Sequence, residues 1–395
     1  MKYRLLAVIT FCFLSCHSQN TPAATGQASF WLARSSGKFT QLSYSLGEDR
    51  LGSAKLGYID TAVLLKVIDS TAKLYQVQLS KYHTAYLFKQ DVTRDTATKP
   101  RPFYLVSNIG EKPAVDNYDT VFIQLDERLP YKSWMEIDPA KIMIDLYGVE
   151  SNTNWITQLS TVKEIKNVYF NQVEDDVVRI TIELKHAQHW GYTILYKGTH
   201  LAIAVKRPPA VPNIQKLRIA VDAGHGGTNL GAEGVISHKE EKNLTLLFAK
   251  ALQKYLKAKG VKDVIMTRTE DTTFGNTDRV LWLQQQHPDI LVSLHLNSSD
   301  NPEMQGSSTY YKHIGFRPLS QAILKEMMAA GMQEYGNTGN FNFLLNQPTD
   351  FPNALLEIGF LTNVKEEKKI LSPAFQQLVA KQVYTGIVDF LTNAK

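Results

Sequence analysis

The chain has 395 residues, 44% of them hydrophobic and 21% charged; that balance excludes a disordered polyelectrolyte, and at roughly 100 to 200 residues per domain it points to two or three folded units. A formal charge of +5 with no long basic run is too weak a bias for a nucleic-acid-binding protein. Both cysteines fall within the first 16 residues, so the rest of the chain has neither a disulfide framework nor thiolate metal ligands.

The opening, MKYRLLAVITFCFLSC, places Lys2 and Arg4 before an apolar run over 5–14, then Ser15 before Cys16. This is the layout of an export signal, and the run is shorter than the about 20 residues that a bilayer span needs. Residues 1–16 are therefore expected to send the protein to the cell envelope, into the periplasm. FLSC resembles a lipoprotein processing box, which implies a lipid on Cys16 and anchoring at a membrane face. The small, polar stretch 17–29 reads as a tether.

Over 30–93, runs such as AVLLKVIDSTAKLYQVQLS alternate with turn residues and lack helical spacing, which predicts a small all-β unit. Within it, LYQVQLSKYHTAYLFKQDV resembles the last strands of the bacterial Src-homology-three-like barrel. The polar stretch 94–114, with its prolines, reads as a linker. Over 115–207, VVRITIEL and HLAIAV alternate at period two, as half-buried antiparallel strands do, and predict a β-sandwich. This stretch is similar to the amidase N-terminal domain, which implies a part in holding an enzyme on the cell wall.

RPPAVPN marks a hinge at 208–215, and the character of the chain changes beyond it. In 216–393, LRIAVDAG, VKDVIMTR, DILVSLHLN, GSSTYYK and NALLEIGF read as strands with helical patterns between and after them. In EKNLTLLFAKALQKYLKAKG, the residues Leu244, Leu247, Phe248, Ala251, Leu252 and Tyr255 share a helical face, and Gly260 supplies the stop. The alternation predicts an α/β domain whose mostly parallel sheet is covered by helices on both faces. The whole is a multidomain chain, two all-β units followed by an α/β catalytic domain.

Open α/β sheets bind ligands beyond the carboxyl ends of their strands. His225, His295 and Glu357 all stand at or near such ends. Zinc in hydrolases takes three protein ligands from histidine and carboxylate and keeps a fourth position open. His225 and His295 are the nitrogens, and the carboxylate is expected from the Glu240–Glu241 pair. Ser237 and Glu240 fit a capping box, which gives Glu240 a structural task, although helical periodicity does not separate the two glutamates. His238, at the helix start, is expected to face solvent. Asn297 suits a strand-end turn as well as substrate contact, and Arg268 and Arg279 each suit an ion pair with a nearby acid.

VDAGHGG, EEKNLTL, DILVSLHLNS and LLEIGFLTN, in this order, resemble the zinc-dependent N-acetylmuramoyl-L-alanine amidases of the third amidase family. The resemblance implies that His225, Glu241 and His295 bind Zn2+, with Glu241 selected because the family's metal glutamate immediately precedes Lys-Asn, and that Glu357 is catalytic. It implies peptidoglycan as the partner and substrate, cut between muramic acid and L-alanine of the stem peptide. Some members carry a long helical insertion that plugs the site until an activator removes it. Here only HIGFRP separates Lys312 from LSQAILKEMM, so no activator protein is expected, and the protein is expected to be a monomer. Two other readings share the pattern. A zinc carboxypeptidase acting on stem peptides would be expected to show a histidine shortly before the glutamate and a carboxylate-binding arginine. A non-catalytic wall-binding protein would not need all four side chains.

Overall fold

The computed structural model describes residues 30–37, 39–47, 54–113 and 116–393. The export signal and tether expected over 1–29, with Cys16, lie outside the described residues. Among those residues no helix is long and apolar enough to cross a membrane.

The first unit contains β1 (Trp31–Ser35), β2 (Thr40–Ser43), β3 (Lys55–Ile59), β4 (Leu64–Ser70), β5 (Leu74–Gln78), β6 (Thr84–Phe88) and β7 (Val92–Arg94), in an antiparallel sheet ordered β3-β2-β6-β5-β4-β1-β7. Leu65 and Val67, two apart on β4, are buried, as are Ala85 and Leu87 on β6, so one face of the sheet closes on a core.

The second unit contains β8 (Tyr104–Pro113), β9 (Tyr118–Leu125), β10 (Tyr131–Ile137), β11 (Ala140–Tyr147), β12 (Val149–Ser151), β13 (Ile156–Thr157), β14 (Ile165–Glu174), β15 (Val177–Leu184), β16 (Tyr192–Lys197) and β17 (His200–Lys206). One sheet runs β10-β11-β15-β14, the other β12-β8-β9-β17-β16, with β13 also on β8. Strand β8 lies inside the stretch read as linker, which corrects that reading. A register shift between Val106 and Ile109 leaves the two buried side chains three residues apart, so the period-two signal is broken where it was needed.

One buried apolar cluster runs from Leu79 of the first unit through Ile144 and Ile203 of the sandwich to Phe316 of the third. Arg34 pairs with Glu127 at 2.9 Å across the first boundary, and Lys206 with Asp289 at 2.8 Å across the second. The hinge at 208–215 thus joins units that are packed together.

The third unit contains β18 (Arg218–Ala223), α1 (Glu241–Ala258), β19 (Asp263–Met266), α2 (Asn276–Gln286), β20 (Ile290–Asn297), β21 (Ser307–Tyr310), α3 (Arg317–Ala329), β22 (Glu334–Thr338), β23 (Asn353–Phe360), α4 (Val364–Ile370) and α5 (Pro373–Asn393). Its sheet runs β19-β18-β20-β23-β21-β22; β21 is antiparallel to β23, and the other pairings are parallel. Ile219 and Val221 face a core shared with α1, α3 and α5, while Ala220 and Leu291 face Leu283 of α2 on the other side.

Two local expectations for α1 are corrected. Leu247 is 45% exposed, and Leu256 is buried in the stripe instead. The capping box does not form: Ser237 Oγ donates to Glu367 Oε1 at 2.6 Å, and Glu240 precedes the helix without a side-chain cap. A carboxylate 130 residues away takes the serine, an outcome no local pattern encodes.

Candidate metal centre

Strands β18 and β20 are parallel neighbours in register Ala223↔Leu294, so the chain reaches His225 and His295 at the same edge of the sheet. His225 adopts a left-handed backbone (φ 63) within a turn that Gly226 (φ 134) and Gly227 (φ 56) continue. A histidine in that region is uncommon and costs of order 1–3 kcal/mol, which the surroundings must hold in place. Arg279 does so by donating to the His225 carbonyl. Glu241 is the first residue of α1 and is brought to the same edge.

The three side chains meet. His225 Nε2 lies 3.1 Å from Glu241 Oε1, and His295 Nδ1 lies 3.2 Å from both that oxygen and His225 Nε2. Their donor atoms form the one such group of three among the described residues. Ligands at about 2.0–2.1 Å from a tetrahedral ion lie about 3.3 Å from one another, so this nearly equilateral triangle fits a zinc-sized cation with a fourth position outward. The side chains of His225 and His295 remain 21% and 18% exposed while Glu241 is at 5%, so the triangle is reachable from one side.

Two of the three side chains are held by further contacts. His225 Nδ1 donates to Asn229 Oδ1 at 2.8 Å, which places the proton there and turns the Nε2 lone pair to the centre. Glu241 Oε1 accepts from the Leu296 amide and Oε2 from the Ala232 amide, both at 2.9 Å. Burial opposes ionisation of Glu241, but its bonds to His225 and His295 prevail and hold it well below the usual carboxylate range. Burial likewise pulls His225 down, and Glu241 outweighs it, so its pKa is raised. A Cβ on Gly224 would strike the His295 ring, so this glycine is what lets the ring approach.

Beneath the centre Asp222 is fully buried and accepts from Arg279 Nη1 at 2.8 Å, Thr267 Oγ1 at 2.6 Å and Ser293 Oγ at 2.6 Å. Arg268 does not pair with an acid; it donates to the carbonyls of Ala223, Gly224 and Lys242, tying β18 to α1. His238 faces solvent, with Nδ1 at 2.8 Å from Glu233.

Glu357 lies on β23, directly opposite His295 in the parallel register, and is 8% exposed. Residues that pair across neighbouring strands project to the same face, so Glu357 rises beside His295. Two contributors were absent from the sequence reading. Asn229 stands four residues after His225, a spacing that carries no signal outside this turn. Phe343 stacks nearly parallel to His295 with ring centroids 6.5 Å apart and comes from a loop that sequence leaves featureless.

Residues 219–389 match the N-acetylmuramoyl-L-alanine amidase family, and residues 109–205 match the AMIN domain family. The N-acetylmuramoyl-L-alanine amidase AmiC of Escherichia coli is 21% identical over 365 residues, spanning 70% of this chain and 87% of AmiC. The probable cell wall amidase LytH of Staphylococcus aureus is 27% identical over 190 residues, 48% of this chain and 63% of LytH. Among solved structures, the catalytic domain of the amidase CwlV from Bacillus (Paenibacillus) polymyxa is 31% identical, with a TM-score of 0.43, covering 45% of this chain and 99% of that one.

Proposed function

We propose, starting from a terminal domain that belongs to the N-acetylmuramoyl-L-alanine amidase family and makes the chain a peptidoglycan amidase, that the reaction is run by one zinc ion held on His225, Glu241 and His295, with Glu357 as the proton carrier. The observation that carries this is the triangle of donor atoms 3.1–3.2 Å apart. Two imidazoles and a carboxylate are the donor set of hydrolytic zinc. When bound, the ion would lower the pKa of a water toward about 7 and polarise the scissile carbonyl.

The remaining work falls to side chains. Asn229 keeps His225 in the tautomer that offers Nε2, and the amides of Leu296 and Ala232 keep Glu241 ionised and oriented. Glu357, beside His295, takes the proton of the attacking water and returns it to the departing nitrogen of L-alanine, worth about 10² to 10⁴ in rate. Arg268 and Arg279 both spend their guanidinium groups on buried partners. Neither is placed to receive a terminal carboxylate, which disfavours the carboxypeptidase reading.

The AMIN domain and the AmiC relative support work in the cell envelope. Anchoring by a lipid on Cys16 is part of the proposal, as is action as a monomer without an activator. Support for the last point comes from the short link after β21, where one turn over Ile314–Phe316 leads into α3, and from the exposure of both histidines. The test is digestion of purified sacculi by the protein alone, read by mass spectrometry, with wild type, chelated protein and Glu357→Ala. Intact free stem peptides are expected from wild type only, with Glu357→Ala retaining one zinc per chain. Loss of single terminal residues, or undiminished release by Glu357→Ala, would overturn it.

A further inference from the structure

Three aromatic rings gather beside the metal triangle, on the face of the sheet that carries His295. His295 pairs with Glu357, and Glu357 with Ser308 of β21, so these three residues project to one face from neighbouring strands. Tyr310, two residues beyond Ser308, shares that face, and Ser308 Oγ donates to its hydroxyl at 3.3 Å. Against Tyr310 pack Phe341, with ring centroids 4.7 Å apart, and Phe343, edge to face at 5.3 Å; the two phenylalanines meet each other at 4.6 Å. Phe343 also lies nearly parallel to the His295 ring, with centroids 6.5 Å apart. Tyr310 is 8% exposed, while both phenylalanines are half-buried and keep part of their apolar surface open.

The loop that carries the two phenylalanines is tied to the strands on both sides of it. The Phe341 amide donates to the Tyr311 carbonyl at 3.2 Å. Asn346, only 1% exposed, donates through Nδ2 to the Tyr310 carbonyl and to Asn353 Oδ1, both at 3.2 Å. Asn353 of β23 donates in turn to the carbonyls of Pro348 and Phe351 at 3.0 Å. A Cβ on Gly339 would strike the Tyr311 ring, so the loop begins pressed against the residue that follows β21. Rings held in this way keep their position, as a surface that discriminates by size requires.

The strand order sets which end of a substrate meets the rings. The three residues of the triangle come from β18, α1 and β20, Glu357 from the next strand, and the rings from β21 and the loop between β22 and β23. A proton passed from Glu357 to the departing nitrogen puts that nitrogen over β23, and the peptide beyond it runs toward β21. Adjacent strands lie about 4.8 Å apart and a peptide advances about 3.3–3.6 Å per residue, so the first residue after the cut arrives at the rings. In the amidase reaction that residue is L-alanine, whose side chain is one methyl group. We propose that Phe343 and Phe341, backed by Tyr310, form the apolar wall that receives this methyl group and sets the size of side chain accepted there. The proposal rests on the amidase reading, with Glu357 as the proton carrier. An apolar wall gains from a methyl group, and a ring braced by two others does not withdraw to admit a longer side chain.

The test compares full-length wild type, Phe343→Ala and Phe343→Leu on three muramoyl-peptides that differ only in the first residue: glycine, L-alanine or L-leucine. Wild type is expected to favour alanine over glycine, and alanine over leucine, by about ten-fold or more in kcat/KM, the scale on which apolar pockets read a methylene group. Phe343→Ala should bring alanine and glycine to within about two-fold of each other and raise leucine relative to alanine by about ten-fold or more, while Phe343→Leu keeps most of the preference for alanine over glycine. A gain on leucine is an outcome that damage to the fold does not produce. Calorimetric binding of the same three peptides to Glu357→Ala and to Glu357→Ala/Phe343→Ala reads the wall without turnover, and the same two orders of affinity are expected. Equal losses by Phe343→Ala on all three peptides, or one order of preference shared by wild type and Phe343→Ala, would overturn the wall and leave the amidase reading standing. Cleavage of none of the three by zinc-loaded wild type would sink the amidase reading, and the wall with it.

Discussion

Arg279→Met tests the claim that an ion pair under the metal centre holds the site. Asp222 has no exposure, and Arg279 is its counter-charge at 2.8 Å. Two routes give the size of the effect. Leaving one partner of a buried pair uncompensated typically costs about 3–5 kcal/mol. If Asp222 instead stays protonated in the folded variant at pH 7, against an unfolded pKa of about 3.9, the cost is about 4 kcal/mol at ~1.4 kcal/mol per unit.

The pH dependence separates charge from packing. In wild type, burial opposes ionisation of Asp222, but Arg279, His295 and the two hydroxyls outweigh it and lower its pKa. That stabilisation is complete above the unfolded pKa and is lost as pH falls through the folded value. In Arg279→Met the folded pKa rises instead, so the deficit is largest near pH 7 and shrinks as pH falls toward about 4. Hydrogen exchange of the β18 and β20 amides in the full chain reads the local stability. A deficit below about 1 kcal/mol at pH 7, or one of constant size between pH 7 and pH 4, would refute the electrostatic account.

Asn229→Ala should weaken zinc affinity about 10- to 100-fold through loss of the His225 tautomer, with little change in melting temperature; chelator competition measures it, and unaltered affinity counts against the orienting role. Gly224→Ala drives a methyl into the His295 ring and should reduce zinc stoichiometry below one per chain, which metal analysis of the purified variant checks. Glu164 offers a test far from the metal, because burial raises its pKa from 4.5 to about 7 despite its bond to His186. A raised carboxyl stabilises below the unfolded pKa and loses that contribution as pH rises through the folded one. Glu164→Gln should therefore flatten the fall in melting temperature that wild type shows between about pH 4.5 and 7, and an unchanged slope would count against it.

Much of the site was legible because strand ends and glycine turns are local. LRIAVDAG carries a strand that ends two residues before His225, and DILVSLHLN one that ends two residues after His295, and parallel packing brings such strand ends to one edge. Glu241 was less legible: both glutamates flank the apolar face, and the capping box that was to occupy Glu240 lost its serine to Glu367. Strand β8 was hidden by a bulge, and Leu247 was placed inside although the packed stripe ends on Leu256.

The sequence by itself determined most of the elements, the order of two β units before an α/β unit, and the residue types able to hold a metal, because hydrophobic period and turn chemistry act over a few residues. Only the tertiary structure decided that three donor atoms from positions 16 to 70 residues apart close to 3.1–3.2 Å and that Asn229 fixes a tautomer. Those contacts depend on how packed layers align distant segments and on the shape of one glycine turn, and no hydrophobic period encodes either.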